Sequence, residues 1–190
     1  MSSRFIRSCT ILLTALLVFL APVAWALADS DTDGVQSGGD YGKKAQFIFS
    51  FAKYVLWPQR KLQANAPLVI GIVGTDPFGD LLSEAAASPS NGRSVQILHV
   101  EEVGEMRKCH ILFVSHSEGT RIGTILSEVR GDNVLTVGES DKFLAKGGII
   151  NFVQVGNDLK FQISASAAKQ ARLTISSNLL ALGLRSSPNQ

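Results

Sequence analysis

Four short, mainly apolar segments alternate with helical patterns, and this alternation constrains the fold more than any other feature of the sequence. The segments occupy residues 67–73, 94–100, 110–115 and 134–137. Short runs rich in Val, Ile and Leu are typical of strands that are buried on both faces of a parallel sheet. Strands that alternate with helices are joined by right-handed crossovers, which place helices over both faces of such a sheet.

The predicted helices follow from apolar spacing and from capping residues. Apolar residues three and four positions apart predict helices over residues 43–56 and 168–182. Thr75 or Asp76 before Pro77 predicts the start of a helix that reaches residue 87. Further helices are predicted after Ser117, as far as residue 130, and over residues 141–145.

The last third of the chain departs from this alternation. Residues 149–155 and 159–164 predict two strands joined by a tight turn, which is typical of an antiparallel hairpin. We expect the hairpin to extend the sheet at one edge. The sequence therefore predicts an α/β fold: a three-layer sandwich with a mostly parallel central sheet, an antiparallel C-terminal edge hairpin and helices on both faces.

Residues 1–28 have the features of a secretory signal peptide: a basic start, an apolar run and small residues before the polar segment at Asp29. We expect cleavage after Ala28, with Ala26 as the alternative position. The other interpretation of the apolar run is an uncleaved membrane anchor, because its length is close to that of a bilayer span. Cleavage predicts an exported protein that does not insert into the membrane.

The rest of the chain predicts one domain. Residues 29–40 are acidic and rich in Gly and Ser, which predicts a flexible leader. Residues 41–185 predict a single α/β domain, and residues 186–190 a disordered tail.

Net charge excludes one class of partner. Removal of the signal takes Arg4 and Arg7 from the 18 Lys and Arg residues of the chain and none of the 16 Asp and Glu residues. The mature chain is therefore formally neutral. A protein that binds nucleic acid needs a surplus of cations to contact phosphates, so we predict that this one does not bind nucleic acid.

The reactive side chains do not form a recognisable catalytic or metal-binding pattern. Cys9 leaves with the signal, so Cys109 is a free thiol that is either buried or paired with a second chain. Cys109 and His110 are neighbours on a predicted strand and point to opposite faces. His99, His110 and His116 have no recognised zinc spacing. We predict no catalytic residue, no metal site and no cofactor.

Polar residues follow several of the predicted strands. In open α/β sheets, ligands bind in the crevice outside the carboxyl ends of the strands. Helix N-termini at such positions also attract anions. The candidate ligand crevice therefore consists of Thr75, Asp76, Ser115, His116 and Glu139. The alternative is that these residues only cap helices.

The first predicted helix carries a second apolar stripe beside its core-facing one. A helix that is apolar on most sides is either buried on both sides or exposes a patch that binds another protein. The stripe is therefore either part of the core or a partner-binding or dimer surface. The candidates for that surface are Phe47, Phe51, Tyr54 and Trp57 of the stripe, with Phe152 and Phe161 of the hairpin.

An ordered set of motifs resembles the YfiR family of periplasmic proteins. The set begins with residues 44–58 (KAQFIFSFAKYVLWP) and continues through 72–79, 109–115, 135–139, 143–152 and 171–180. It therefore runs through almost the whole predicted domain.

The resemblance implies a non-enzymatic periplasmic regulator. Such a protein binds and represses the periplasmic sensor region of a membrane diguanylate cyclase, which lowers cyclic di-GMP and biofilm formation. The resemblance also implies a homodimer. Some family members use disulfides, but Cys109 has no partner in the mature chain. The alternative function is a periplasmic small-ligand-sensing module that acts on another membrane receptor such as a sensor kinase.

Overall fold

A six-stranded sheet forms the centre of the computed structural model, which describes residues 33–87 and 93–184. Its strands, in chain order, are β2 (Leu68–Val73), β3 (Val95–His99), β4 (Ile111–Val114), β5 (Leu135–Gly138), β6 (Ile150–Val155) and β7 (Asp158–Ile163). Across the sheet they are ordered β3-β2-β4-β5-β6-β7. The first four pairings in this order are parallel, and only β6 and β7 are antiparallel.

The edge hairpin has the predicted position and a two-residue turn. Val155 of β6 pairs with Asp158 of β7, so Gly156 and Asn157 form the turn. Gly156 adopts a φ of 59°, in the left-handed region that glycine enters without strain. Parallel sheet and edge hairpin together confirm the predicted α/β fold class.

One face of the sheet packs against the long first helix, α1 (Asp33–Tyr54). Alternate strand residues such as Ile70 and Phe113 point to this face and contact Ile48 and Phe51 of the helix in one buried cluster. The same layer contains α2 (Leu81–Ala87), α5 (Ala165–Gln170) and α6 (Ser177–Leu182).

The opposite face packs against α3 (Val103–Met106) and α4 (Ile122–Glu128). Leu112 and Val114 of β4 point to this side and form a second buried cluster with Ile125. Because successive strand residues point to opposite faces, one apolar strand supplies both cores. Helices therefore cover both faces of the sheet, as predicted.

A second, two-stranded sheet joins the ends of the domain. β1 (Val55–Leu56) pairs antiparallel with β8 (Thr174–Ile175). The prediction of one helix over residues 168–182 was wrong, because this pairing separates α5 from α6. Arg172 between them has a φ of 55°, which a helix does not accommodate.

Helix α1 differs from its predicted bounds at both ends. It begins at Asp33, so residues 33–40, which we predicted as flexible leader, are helical. No proline lies between residues 33 and 57, so the helix can extend in this direction although Gly34, Gly38 and Gly39 disfavour it. It ends at Tyr54 because the next two residues pair in β1.

Two other predicted helices begin later than expected. α2 starts at Leu81 because Asp76 Oδ1 accepts the N–H of Phe78 in a local turn and Gly79 has a φ of 53°. The segment predicted as a helix from Ser117 divides into a short 3₁₀ helix, His116–Glu118, and α4. Residues 141–145, also predicted as a helix, form turns.

The predictions for the two chain ends concern residues outside the described ranges. These are the signal peptide (1–28) with both cleavage positions, residues 29–32 of the leader and the tail (186–190). Within residues 33–87 and 93–184, none of the helices has both the length and the apolar composition needed to cross a bilayer.

Candidate functional site

Glu139 is the centre of a polar cluster at the carboxyl end of the sheet. It follows β5 directly, and one carboxylate oxygen, Oε2, accepts a hydrogen bond from Lys44 Nζ at 2.8 Å. The other oxygen, Oε1, accepts the backbone N–H of His116 at 3.2 Å and the hydroxyl of Tyr41 at 3.3 Å. The side chains of Lys44 and Glu139 are only 13% and 7% exposed, so the ion pair is poorly screened by water.

Tyr41 adds a second contact to this cluster. The Lys44 ammonium lies 4.1 Å from the centre of the Tyr41 ring, within the range of a cation–π interaction. Burial, followed by the negative charge of Glu139, raises the pKa of the Tyr41 hydroxyl to about 12. The hydroxyl therefore remains a hydrogen-bond donor throughout the physiological pH range.

A cavity of about 410 Å³ opens beside this cluster. Charged and polar groups line one side and apolar groups the other, where the edge hairpin forms the wall. The lining residues are Tyr41, Lys44, His116, Glu139, Phe152, Val153, Gln154 and Leu159. This size and mixed lining are typical of sites for small molecules that carry both an ionic and an apolar part.

The structure divides the predicted ligand crevice. His116 and Glu139 lie together at the cavity just described. Thr75 lines a different cavity of about 560 Å³, beyond β2, where its N–H donates to the hydroxyl of Ser117 at 2.9 Å. Asp76 Oδ2 lies 2.7 Å from Nε2 of the exposed His99.

Ser115 has a capping role. It is buried, and its hydroxyl accepts the N–H of Ser117 at the start of the 3₁₀ helix. Ser115 therefore caps a helix, as in the alternative interpretation of the predicted crevice. Thr75 contacts Ser117 and Asp76 contacts His99, and neither residue lines the cavity beside Glu139.

Tyr41 and Lys44 were not among the predicted site residues, although both lie on α1 and contact Glu139. Their spacing in the sequence was informative, because residues three positions apart share one helix face. The pairing of that face with the loop after β5, some 95 residues away in the chain, was not visible without the fold.

The aromatic stripe is divided between core and surface. Phe51, Phe152 and Phe161 are fully or almost fully buried, and the Phe51 ring packs on the other two, with centroids 5.8 Å from Phe152 and 5.0 Å from Phe161. Phe47 is half-buried and packs on all three. The prediction that Phe51, Phe152 and Phe161 form a partner surface was wrong, because the sheet face needs them for its own core.

Tyr54 and Trp57 have different surroundings. Tyr54 is 38% exposed at the end of α1. Trp57 is half-buried, and its Nε1–H donates to the backbone oxygen of His110 at 3.2 Å. Of the predicted stripe, Tyr54 is therefore the residue most available to a partner.

Cys109 is a free, fully buried thiol in the second core cluster. Burial raises its pKa to about 11, so the thiol is protonated at neutral pH. Its Sγ donates to the backbone oxygen of Glu105 on α3. A buried, protonated thiol is a poor nucleophile and a poor metal ligand.

The three histidines lie apart. His110 is buried between strands and a loop: its Nδ1 accepts the N–H of Val69 and its Nε2–H donates to the backbone oxygen of Lys61, both at 2.9 Å. His99 pairs with Asp76, and His116 lines the cavity at Glu139. Among the described residues, no three His, Cys, Asp or Glu side chains gather in a way that would hold a metal ion.

Comparison with protein families decides the relationship of this fold to known proteins. A family model described as YfiR/HmsC-like matches residues 41–183. The chain belongs to the YfiR/HmsC-like family. The match includes α1 from Tyr41 onward, the whole central sheet and α6, so the Glu139 cluster and its cavity lie within the family domain.

A solved structure with a TM-score above 0.5 resembles this YfiR/HmsC-like domain in fold. A conserved domain protein from Vibrio cholerae O1 biovar eltor strain N16961 aligns with a TM-score of 0.53 at 14% identity, over 77% of this chain and 60% of that one. The chain thus spans about three fifths of that protein's length. An ABC domain from Streptococcus pneumonia, in complex with L-Trp, aligns with a TM-score of 0.46 at 14% identity, over 67% and 57%. A search of curated proteins finds no match.

Proposed function

We propose that this protein is a periplasmic regulator that binds and represses the periplasmic sensor region of a membrane diguanylate cyclase. The observation that carries the proposal is membership of the YfiR/HmsC-like family over residues 41–183. Family members of this kind regulate by binding and not by catalysis. Repression would lower cyclic di-GMP and biofilm formation, and loss of the protein would raise both.

The features of the N-terminus support the same compartment. A signal peptide over residues 1–28, cleaved after Ala28 or Ala26, would release the domain into the periplasm, where the sensor regions of inner-membrane receptors are accessible. The buried state of Cys109 fits a compartment in which an exposed free thiol would oxidise.

Cellular cyclic di-GMP tests the proposal directly. We expect deletion of the gene to raise cyclic di-GMP and surface attachment, and the full-length chain to restore both. A variant that lacks residues 2–28 is the matched control, because it retains the domain but is not exported. Unchanged cyclic di-GMP in the deletion strain would contradict the proposal. Restoration by the unexported variant would contradict the periplasmic site of action.

We also propose that the domain forms a homodimer, as its family resemblance implies. Light scattering on the purified mature chain should give twice the mass of one chain. A mass of one chain at every protein concentration, up to the concentration of the protein in the cell envelope, would contradict this part of the proposal.

A second candidate function rests on the cavity beside Glu139. Its volume of about 410 Å³ and its mixed lining suit a small molecule whose ionic group binds Lys44 or Glu139 and whose apolar part packs on the hairpin. In this alternative the protein is a small-ligand-sensing module that acts on another membrane receptor, such as a sensor kinase.

A thermal-shift screen distinguishes this alternative. A ligand present at about 100 times its Kd stabilises the fold by about 2.7 kcal/mol, which is readily detected. Gln154→Trp, on the strand face that also carries Phe152 and borders the cavity, should abolish the shift, and Val155→Trp on the exposed hairpin tip should preserve it. A shift that survives Gln154→Trp would place the ligand elsewhere.

A further inference from the structure

Exposed apolar side chains gather where the parallel strands begin, an end of the molecule that we call the amino edge. β1 and β8 lie there, because Trp57 Nε1–H bonds to His110, the residue before β4. Leu56 of β1 is 68% exposed. The other large exposed apolar side chains of this region are Tyr54, Leu180, Leu182 and Leu184.

Hydrogen bonds show that these side chains form one region. The N–H of Ser176 before α6 donates to the backbone oxygen of Tyr54, which joins α6 to the end of α1. After α6, the N–H of Leu184 donates to the backbone oxygen of Phe161, near the end of β7. Since β7 runs antiparallel to its neighbour, it ends at the amino edge.

Exposed cations surround the same region. Lys61 Nζ donates to the backbone oxygen of Arg107, and Arg107 Nε lies 3.3 Å from Asp132. The side-chain amide of Asn133 donates to the backbone oxygen of Ala171, the residue before Arg172. This series of contacts links loops whose exposed cations are Arg60, Lys108, Arg130, Lys169 and Arg172. Within the described part of the chain, none of these five lies within 4.0 Å of a carboxylate.

Acidic residues concentrate at the opposite end, where the parallel strands finish. They follow β2, β3, β4 and β5 in the chain and comprise Asp76, Asp80, Glu101, Glu102, Glu118, Glu139 and Asp141. Two acids, Glu128 and Asp132, also lie at the amino edge, where they pair with Arg107, but the seven cations named there outnumber them. The acidic end in turn holds fewer cations, such as Lys44, Arg121 and Lys142, than acids. A mature chain that is formally neutral is therefore polarised along the strand direction. Such a molecule turns its basic end toward a negatively charged surface.

We propose that the amino edge is a membrane-facing surface that binds anionic phospholipid headgroups. Lys and Arg bind lipid phosphates, while isolated Leu, Tyr and Trp side chains enter the headgroup region. The amino edge presents both kinds of group side by side: Leu56 and Trp57 lie near Arg60 in the chain, and Thr174, the strand partner of Leu56, is two residues from Arg172. Docking of this end would direct the Glu139 cavity and the acidic end away from the bilayer.

The charge pattern favours a lipid surface over a protein partner as the occupant. Protein interfaces are depleted of Lys at their centres and contain one continuous apolar core. Here the exposed leucines are spread over β1, α6 and the segment after it, and unpaired cations lie around them. The inference does not depend on the cyclase proposal, because lipid binding and partner capture are measured separately.

Co-sedimentation with vesicles tests the proposal on the mature chain purified from the periplasm. We expect binding to vesicles of phosphatidylglycerol and phosphatidylcholine, loss of binding at high salt, and no binding to phosphatidylcholine alone. Lys108→Gln and Arg172→Gln should each weaken binding about fivefold. Lys142→Gln, which removes an exposed cation after β5, is the matched control and should leave binding unchanged.

A second pair of variants tests the exposed apolar side chains of the amino edge. Leu56→Ser should weaken vesicle binding, and Val155→Ser on the exposed hairpin tip should not. Equal binding to neutral and anionic vesicles, or equal effects of the Lys108 and Lys142 variants, would overturn the proposal. Absence of vesicle binding together with loss of partner capture in Lys108→Gln would also overturn it and would assign the amino edge to a protein.

Discussion

The ammonium of Lys44 lies 2.8 Å from a carboxylate oxygen of Glu139, in an ion pair that ties helix α1 to the end of β5. The pair closes one side of the cavity at the carboxyl end of the sheet. It therefore serves both the packing of α1 on the sheet and the shape of the candidate site. Its removal should affect both.

Glu139→Gln should destabilise the fold by about 2 kcal/mol, because it leaves the poorly solvated Lys44 without a countercharge. Urea denaturation of the variant and of Glu102→Gln, an exposed carboxylate at the same end, measures the difference. Equal midpoints for Glu139→Gln and the wild type would show that the ion pair does not stabilise the fold.

Phe51→Ala should cost about 3–5 kcal/mol, since Phe51 is fully buried between Phe152 and Phe161. Tyr54→Ala, at an exposed position on the same helix, should cost less than about 1 kcal/mol. Thermal or urea unfolding measures both. A stable Phe51→Ala variant that fails to bind its partner would instead restore Phe51 to the interaction surface.

His110 should make the fold less stable in mild acid. Burial lowers the pKa of its imidazole below the ordinary 6.5, and the nearby charges of Lys61 and Arg93 lower it too. The unfolded chain then binds a proton more readily than the folded one, so stability falls as the pH drops below about 6.5 toward the lower folded-state pKa. Protonation of Nδ1 would also break its hydrogen bond with the Val69 N–H.

Urea midpoints measured across that pH range test this expectation. His110→Gln should flatten the dependence at the cost of some stability at neutral pH, while His116→Gln should retain it. An unchanged pH dependence in His110→Gln would contradict the assignment.

Cys109 should react with thiol reagents only after the fold opens. The thiol is fully buried, and its pKa of about 11 keeps it protonated. We expect the labelling rate to rise with urea in parallel with unfolding. Rapid labelling of the native protein in dilute buffer would contradict the buried position and would reopen the alternative of pairing between chains.

The sequence was sufficient for the inner strands β2, β4 and β5 because they are buried on both faces of the sheet. Such strands are apolar throughout, as in Ile111–Val114, so their positions do not depend on distant contacts. The hairpin was equally clear, since Gly156 and Asn157 provide a local turn.

The elements that were predicted incorrectly depend on tertiary contacts. The apolar spacing of residues 168–182 suits a helix, but β1 pairs with Thr174 and Ile175 and interrupts it. The sequence did not decide whether the aromatic stripe belongs to the core or to the surface, because the residues of a helix do not show which element packs on it. Lys44 was missed because its partner Glu139 is distant in the chain.

Capture of membrane partners shows whether the protein binds a membrane diguanylate cyclase. The mature protein is immobilised and incubated with detergent-solubilised membranes, alongside a urea-unfolded sample of the same protein, and the retained proteins are identified by mass spectrometry. We expect only the folded protein to retain a membrane protein that has a periplasmic region and a diguanylate cyclase domain. Retention of a sensor kinase would favour the ligand-sensing alternative. If the folded protein retains nothing beyond the unfolded control, the claim that it regulates by binding a membrane receptor is contradicted.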